Sequence, residues 1–296
     1  MSFSGVNYGD ISPRIGLFAV ANFLAHAQPE LLLERFAQVQ AIPKNTGLLM
    51  KWRRSIPFDA AMEVLTEGIT PAPMGITYED VSTVISQYGS WIPFTDVIMD
   101  THEDDNLKQM TLLAGEQAAL TKERIVWNTL VAGTNIIYSG TAVQRDQVIA
   151  PIALGDLRQA QRTLKVAMAK PITKMIDASV KIATQPVAPS YVVLGHTNLE
   201  QDFRGLSGFV PRENYSSTNL LHPLEIGKIE DLRVILAPHF TYFAGAGGAV
   251  ASGVLRTGGK ADVYPLVVLG QDAFAVTPLK GMDSARIAVK NPKMGD

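Results

Sequence analysis

The sequence contains no cysteine in 296 residues. Disulfide scaffolds, thiolate metal sites and thiol catalysis are therefore excluded. Charge is also scarce. Asp, Glu, Lys and Arg make up 18% of the chain, against about 25% in an ordinary soluble protein. The 26 basic and 28 acidic residues leave a net charge of −2, which argues against a chain whose main task is gripping nucleic acid. No apolar run approaches the roughly 20 residues of a membrane-spanning helix. The best runs, Tyr191-Val192-Val193-Leu194 and Leu266-Val267-Val268-Leu269, have the length of buried strands. Met1 to Asp10 holds no basic stretch followed by an apolar one, so no secretory signal is expected and assembly inside a cell is. Hydrophobic residues, by contrast, reach 47%. Few charges with many apolar side chains imply a surface covered by something else. With a membrane set aside, other protein subunits are the expected covering.

The length suits one large domain or two small ones. Met1 to Pro13, rich in Ser, Gly and Asn, reads as an extended arm. Leu32, Leu33, Phe36 and Val39 give residues 30–40 one apolar helical face, with Pro29 suited to the first turn. That helix could lie on its own domain or dock on a neighbour. Leu48 to Arg54 reads as a strand. Val81 to Thr95 reads as its partner, with Val84, Tyr88, Ile92 and Phe94 alternating on one face. The segment between them carries Pro57, Gly68, Pro71, Pro73 and Gly75. It far exceeds the two to five residues of an ordinary hairpin turn. Two strands alone are barely stable in water, so this excursion either folds back as a lid or lies upon something else.

A long helix is expected from about Glu103 to Ala132. Thr101 and Asp104 resemble a capping box, Glu103, Asp104 and Asp105 suit the positive end of the helix dipole, and Gly133 supplies a stop. Leu107, Met110, Ala114, Ala118 and Ile125 keep helical spacing along a rod of roughly 45 Å. Beyond it, Asp156 is expected to cap a helix with Leu157, Ala160, Leu164 and Met168 on one face. Pro189 is expected to end a loop before the Tyr191 strand. Thr197 and Glu200 read as a capping box for a short helix, Leu199 to Phe203. Further strands are expected at Leu232 to Leu236, Tyr264 to Leu269, Phe274 to Val276 and Ala285 to Val289, with Gly245 to Gly253 as a flexible tip. Helices and strands in this irregular order indicate an α+β fold.

A search for chemistry finds little. His26, His102, His196, His222 and His239 show no metal-ligand spacing. The cluster Asp100, His102, Glu103, Asp104, Asp105 could hold a cation, but it also fits a solvated helix start. Gly245 to Gly253 lacks the Gly-Lys-Ser/Thr ending of a phosphate loop, and Ser207 is not in a Gly-x-Ser-x-Gly elbow. Lys51, Arg53 and Arg54 around Trp52 are too few for a nucleic-acid surface and read as partners for acidic residues on a neighbour. No catalytic residue, cofactor or metal site is expected. A soluble enzyme with a lid loop is the remote alternative.

Four strings carry a family resemblance. They are Leu65-Thr66-Glu67-Gly68-Ile69-Thr70-Pro71; Gln87-Tyr88-Gly89-Ser90-Trp91-Ile92-Pro93-Phe94-Thr95-Asp96; Glu116-Gln117-Ala118-Ala119; and Asn128-Thr129-Leu130-Val131-Ala132-Gly133-Thr134-Asn135. With the long hairpin and single spine helix, the chain resembles a tailed-bacteriophage major capsid protein of the Hong Kong 97-type fold, in the branch of the coliphage N-four capsid protein. The resemblance implies an N-terminal arm (1–43), an extended loop (44–98), a peripheral domain (99–149 and 256–296, spine helix about 103–132) and an axial domain (150–255). It implies hexamers and pentamers closing an icosahedral head around double-stranded DNA, which is contacted non-specifically. It also implies portal and scaffolding partners, a decoration protein as an option, and a virion assembled in the bacterial cytoplasm. An encapsulin-type compartment is the alternative within the fold. The candidate inter-subunit contacts are Lys51, Trp52, Arg53, Arg54, Glu67, Pro71, Tyr78, Gly245, Gly247 and Gly248. Some relatives join a Lys to an Asn covalently. Lys44 and Lys51 lie near the loop base without catalytic context, so no crosslink is assigned. The short arm after Met1 leads to the expectation of no built-in scaffold.

Overall fold

The computed structural model describes residues 32–174, 186–215 and 220–279, except 61, 63, 65, 66, 69, 71, 72 and 94–105. The chain divides into two units. The smaller comprises Val39–Trp91 with Val276–Arg286, and the larger comprises the remainder.

At the start of the described chain the expected helix over 30–40 is reduced to one 3-10 turn, Leu33–Phe36, followed by a two-residue strand, β1 (Gln38–Val39). The reason lies in where the backbone hydrogen bonds go. The Leu32 and Leu33 N–H groups both donate to Glu123 Oε1 at 2.9 Å, and the Gln38 N–H donates to the Phe274 carbonyl. Donors committed to distant acceptors cannot build an i→i−4 ladder. Leu32, Leu33 and Phe36 are buried, but Val39 is 58% exposed.

The smaller unit is built on an antiparallel ribbon, β2 (Leu49–Ser55) with β3 (Tyr78–Val84). Leu49 stands opposite Val84 and Ser55 opposite Tyr78. The second strand was expected over Val81 to Thr95, so pairing starts three residues earlier and stops well short. Residues 85–93 carry no strand, and Phe94 and Thr95 lie outside the described residues. The register is fixed by cross-strand partners, Trp52 against Val81 and Arg53 against Asp80. The alternating Val84, Tyr88 and Ile92 meet no partner strand beyond Leu49. In the same unit Gln40 and Ile42 donate their N–H groups to the Val276 and Pro278 carbonyls.

The larger unit opens on the spine helix α1 (Asn106–Val131), about 39 Å long at 1.5 Å per residue. The proposed start at 101–105 lies outside the described residues. The end agrees with expectation, since Gly133 N–H closes onto the Leu130 carbonyl. The buried face differs from the expected ladder. Met110, Ala114, Ala118 and Ile125 are only half-buried, whereas Glu123 and Trp127 are buried. Trp127 stacks on Phe240 at 4.1 Å and donates its Nε1–H to the Thr241 carbonyl at 3.0 Å.

Helix α2 (Leu154–Val166) starts where Asp156 accepts the Ala153 N–H. Met168, expected on its face, stands past the helix end at φ 53° and is 83% exposed. A mixed sheet follows: β4 (Ile172–Lys174), β5 (Pro186–His196), β6 (Phe209–Pro211), β7 (Glu225–Ile229), β8 (Leu232–Ala237) and, later in the chain, β11 (Val267–Leu269). The order is β11-β5-β8-β7-β6, with β4 also on β5. Only β5 and β8 run parallel. Pro189 sits inside β5, not in a loop before it.

All six residues of β8 are buried, as a strand covered on both faces requires. On one face Val192, Leu194, Ile235 and Ala237 pack with Leu32, Leu33, Phe36 and Trp127. On the other, Tyr191, Val193, Val234 and Leu236 pack with Leu157 of α2, Leu199 and Phe203. Phe203 belongs to the short helix α3 (Glu200–Arg204). The helix has no side-chain cap; the His196 ring caps the 3-10 turn Thr197–Leu199 that leads into it, in place of the expected Thr197–Glu200 box.

The chain then runs through β9 (Arg256–Thr257) and β10 (Lys260–Ala261) and ends its described course at β12 (Ala275–Val276). The strands expected over Tyr264 to Leu269 and Phe274 to Val276 are thus shorter than read. The one expected over Ala285 to Val289 lies outside the described residues.

Candidate assembly surfaces

The ribbon β2–β3 has the composition of a surface and the apolar content of a core. Residues opposite one another share a face. Leu49, Lys51, Arg53 and Ser55 stand with Val84, Ser82, Asp80 and Tyr78. Met50, Trp52 and Arg54 stand with Thr83, Val81 and Glu79. No residue of either strand is buried, and only Met50 and Trp52 reach half-burial. Leu49, Val81 and Val84 are 61%, 59% and 64% exposed. In the connecting segment Met62 and Val64 reach 89% and 92%, while Phe58, Met74 and Ile76 are also exposed. Glu67 is exposed as well, and Pro71 lies outside the described residues.

The basic group was expected to seek acids on a neighbour. It finds them across its own ribbon. Arg53 grips Asp80 with both forks, Nε to Oδ1 at 2.8 Å and Nη2 to Oδ2 at 3.1 Å. Lys51 Nζ adds a contact at 3.4 Å. The Arg53 guanidinium also lies 5.3 Å from the Tyr78 ring centre. Arg54 Nε meets Glu79 Oε2 at 2.8 Å. The Arg53 hydrogen bond, assisted by Lys51, holds the Asp80 carboxyl down to about 2. Exposed pairs of this kind are screened by water and salt, so they set register more than they supply stability. Glu79 and Asp80 were missed in the sequence reading, which left them in the loop. Their signal was an acidic pair that can face a basic one across a hairpin.

The glycine segment is also corrected. It is not a flexible tip. Gly247 N–H donates to the Ala261 carbonyl and Gly248 N–H to the Val148 carbonyl, both at 2.9 Å. Gly245 N–H donates to Asp262 Oδ1 at 2.6 Å. A Cβ on Gly247 would stand 2.4 Å from the Val148 oxygen, and one on Gly248 would stand 2.6 Å from Ile149 Cγ2. The glycines are there because backbone passes against backbone.

On α1, Leu112 and Leu113 are 56% and 46% exposed, a second apolar surface the sequence reading did not single out. Among the described residues no group of three or more His, Asp or Glu could hold a metal ion, and no helix is long and apolar enough to cross a membrane. The acidic cluster at 100–105 lies outside them.

The fold, with a mixed sheet and long helix in one unit and a two-stranded ribbon in the other, is that of Hong Kong 97-type phage capsids. The capsid of Ralstonia phage GP4 superposes with a TM-score of 0.65 at 13% identity, covering 95% of this chain and 86% of that one. The head structure of Helicobacter pylori bacteriophage KHP40 gives 0.55 at 14% identity, covering 84% and 67%. In sequence, the chain is 24% identical over 229 residues to the major capsid protein of Pseudomonas phage KPP21, covering 72% of this chain and 57% of that protein. The chain thus spans little more than half the length of that relative. The model of the phage capsid protein family matches residues 78–283. The chain belongs to that family.

Proposed function

We propose that the chain is a major capsid protein that assembles into hexamers and pentamers and closes the icosahedral head of a tailed bacteriophage around double-stranded DNA. One observation carries this reading. The β2–β3 ribbon exposes large apolar side chains on both of its faces, and a two-stranded ribbon is marginal in water. A second copy of the chain supplies the missing surface, and repetition around a ring multiplies each modest contact. On this reading 44–98 is the extended loop, with Lys51, Trp52, Arg53, Arg54, Glu67, Pro71 and Tyr78 at or near the contact. Residues 1–43 are the arm, 99–149 with 256–296 the peripheral domain, and 150–255 the axial domain. Gly245, Gly247 and Gly248 shape the chain beside Val148 and Ala261 and need not touch a neighbour. The strings at 65–71 and 87–96 support assigning the chain to the N-four-like branch. Portal and scaffolding proteins are its further partners, and the host cytoplasm is its place of assembly.

The test replaces residues 58–75 with a two-residue turn that leaves Ile56 N–H bonded to the Thr77 carbonyl. The subunit is expected to fold and to fail to form closed shells in sedimentation and electron microscopy. Unimpaired shells would refute the reading.

A further inference from the structure

Strand β5 ends at His196, and the chain turns at once into the 3-10 turn Thr197–Leu199 and helix α3. His196 has extended backbone (φ −81°, ψ 145°), and its Nδ1 accepts the Asn198 N–H at 3.0 Å. A backbone N–H can only donate, so Nδ1 carries no proton there. The doubly protonated ring cannot accept this bond; the neutral ring can.

The ring is also the hub of an aromatic group. Tyr242 lies 5.4 Å away edge-on and Tyr264 5.5 Å away, and the two tyrosines stack on each other at 4.5 Å. Asn198 Nδ2 donates to the Tyr264 hydroxyl at 2.9 Å. Asn198 is thus held twice, by its backbone to His196 and by its side chain to Tyr264.

We propose that His196 is a protonation-controlled cap: a proton taken up by Nδ1 sets N–H against N–H at Asn198, releases the cap and loosens residues 197–204 from the Tyr242–Tyr264 stack. Among the groups around the ring, the Pro238 backbone favours its charged form. Burial pushes the Tyr264 hydroxyl above its ordinary value. Asp262 acts on Tyr264, and the His239 imidazole, itself 3.4 Å from Glu123 Oε1, pushes His196 down. Burial of the ring is the largest cause holding His196 below the ordinary histidine value. The folded state therefore takes up this proton less readily than the unfolded chain. The cap's contribution is full above about pH 6.5 and is lost as pH falls below that value.

The test follows the His196 ring and the Asn198 amide by NMR of the full chain from pH 8 to 5, beside melting temperatures over the same range. Asn at position 196 keeps a side-chain acceptor at the cap and does not titrate. The ring and the Asn198 amide are expected to shift with one shared midpoint below 6.5. His196→Asn is expected to flatten that part of the melting profile. A midpoint at or above 6.5, an Asn198 amide blind to the titration, or equal slopes in both proteins would overturn the proposal. If His196→Asn does not fold, the wild-type ring and amide titrations decide it.

Discussion

Glu123 does more in this fold than its type suggests. It stands on the spine helix, 2% exposed, and spends one carboxylate oxygen on two consecutive backbone N–H groups 90 and 91 residues away. Those groups bring Leu32 and Leu33 into the core, and at the surface nearby Lys122 pairs with Glu34. Glu123→Leu removes the acceptor and leaves two buried donors unpaired, each costing about 1–3 kcal/mol. Chemical denaturation of the variant is expected to show a loss of about 2–6 kcal/mol, with early proteolysis near residues 32–38. Nothing in the sequence distinguishes Glu123 from Glu116 or Arg124. A polar residue on a helix becomes a buried acceptor only when a distant segment arrives with donors to satisfy, and periodicity does not see that. Asp80 is the second case. Its carboxyl titrates at about 2 because Arg53 and Lys51 hold the charged form. Its contribution to the ribbon is therefore present above about pH 4 and is lost as pH falls through 2. NMR titration of Asp80 is expected to give a midpoint near 2 that rises in 1 M salt, because the pair is exposed and screened. A midpoint near 3.8 would contradict the pairing.

Elements were legible where local pattern and tertiary role agree. The spine helix, with its end at Gly133, the β2 strand and the buried runs of β5, β8 and β11 follow from spacing alone. The misses share a cause. The turn at 33–36 reads as helix because its apolar spacing is helical, yet its N–H groups are claimed elsewhere. The register of β3 depends on charges across the ribbon, which a hydrophobic alternation cannot rank. The glycines at 247 and 248 read as slack and are the opposite, since glycine also marks close backbone contact. The ribbon offers the sharpest test at this scale. Arg54→Glu places like charges opposite Glu79, and cross-strand pairs of this kind are worth roughly 0.2–1 kcal/mol. Hydrogen exchange across Leu49–Ser55 and Tyr78–Val84 is expected to speed up in the single variant. It is expected to recover in Arg54→Glu with Glu79→Arg. Equal exchange in all three proteins would mean that the ion pairs do not set the register.

For the whole molecule, the exposed apolar residues now have locations. They lie on both faces of the ribbon, along residues 56–76 and at Leu112 and Leu113. No cysteine is available to staple these surfaces, and in the proposed assembly they are stabilised by contact with further copies. The candidate site was legible as a region, because a long loop between two strands needs support. It was not legible as residue pairs, because the acids that answer Lys51, Arg53 and Arg54 lie within the same ribbon. The central claim is that this ribbon is completed by another copy of the chain. Cryo-electron microscopy of the purified, self-assembled protein tests it most directly. The account predicts closed icosahedral shells built of six- and five-membered rings, with the density of Leu49–Val84 lying on a neighbouring subunit. A chain that stays monomeric at every concentration, or shells in which Leu49–Val84 lies only against its own subunit, would contradict it.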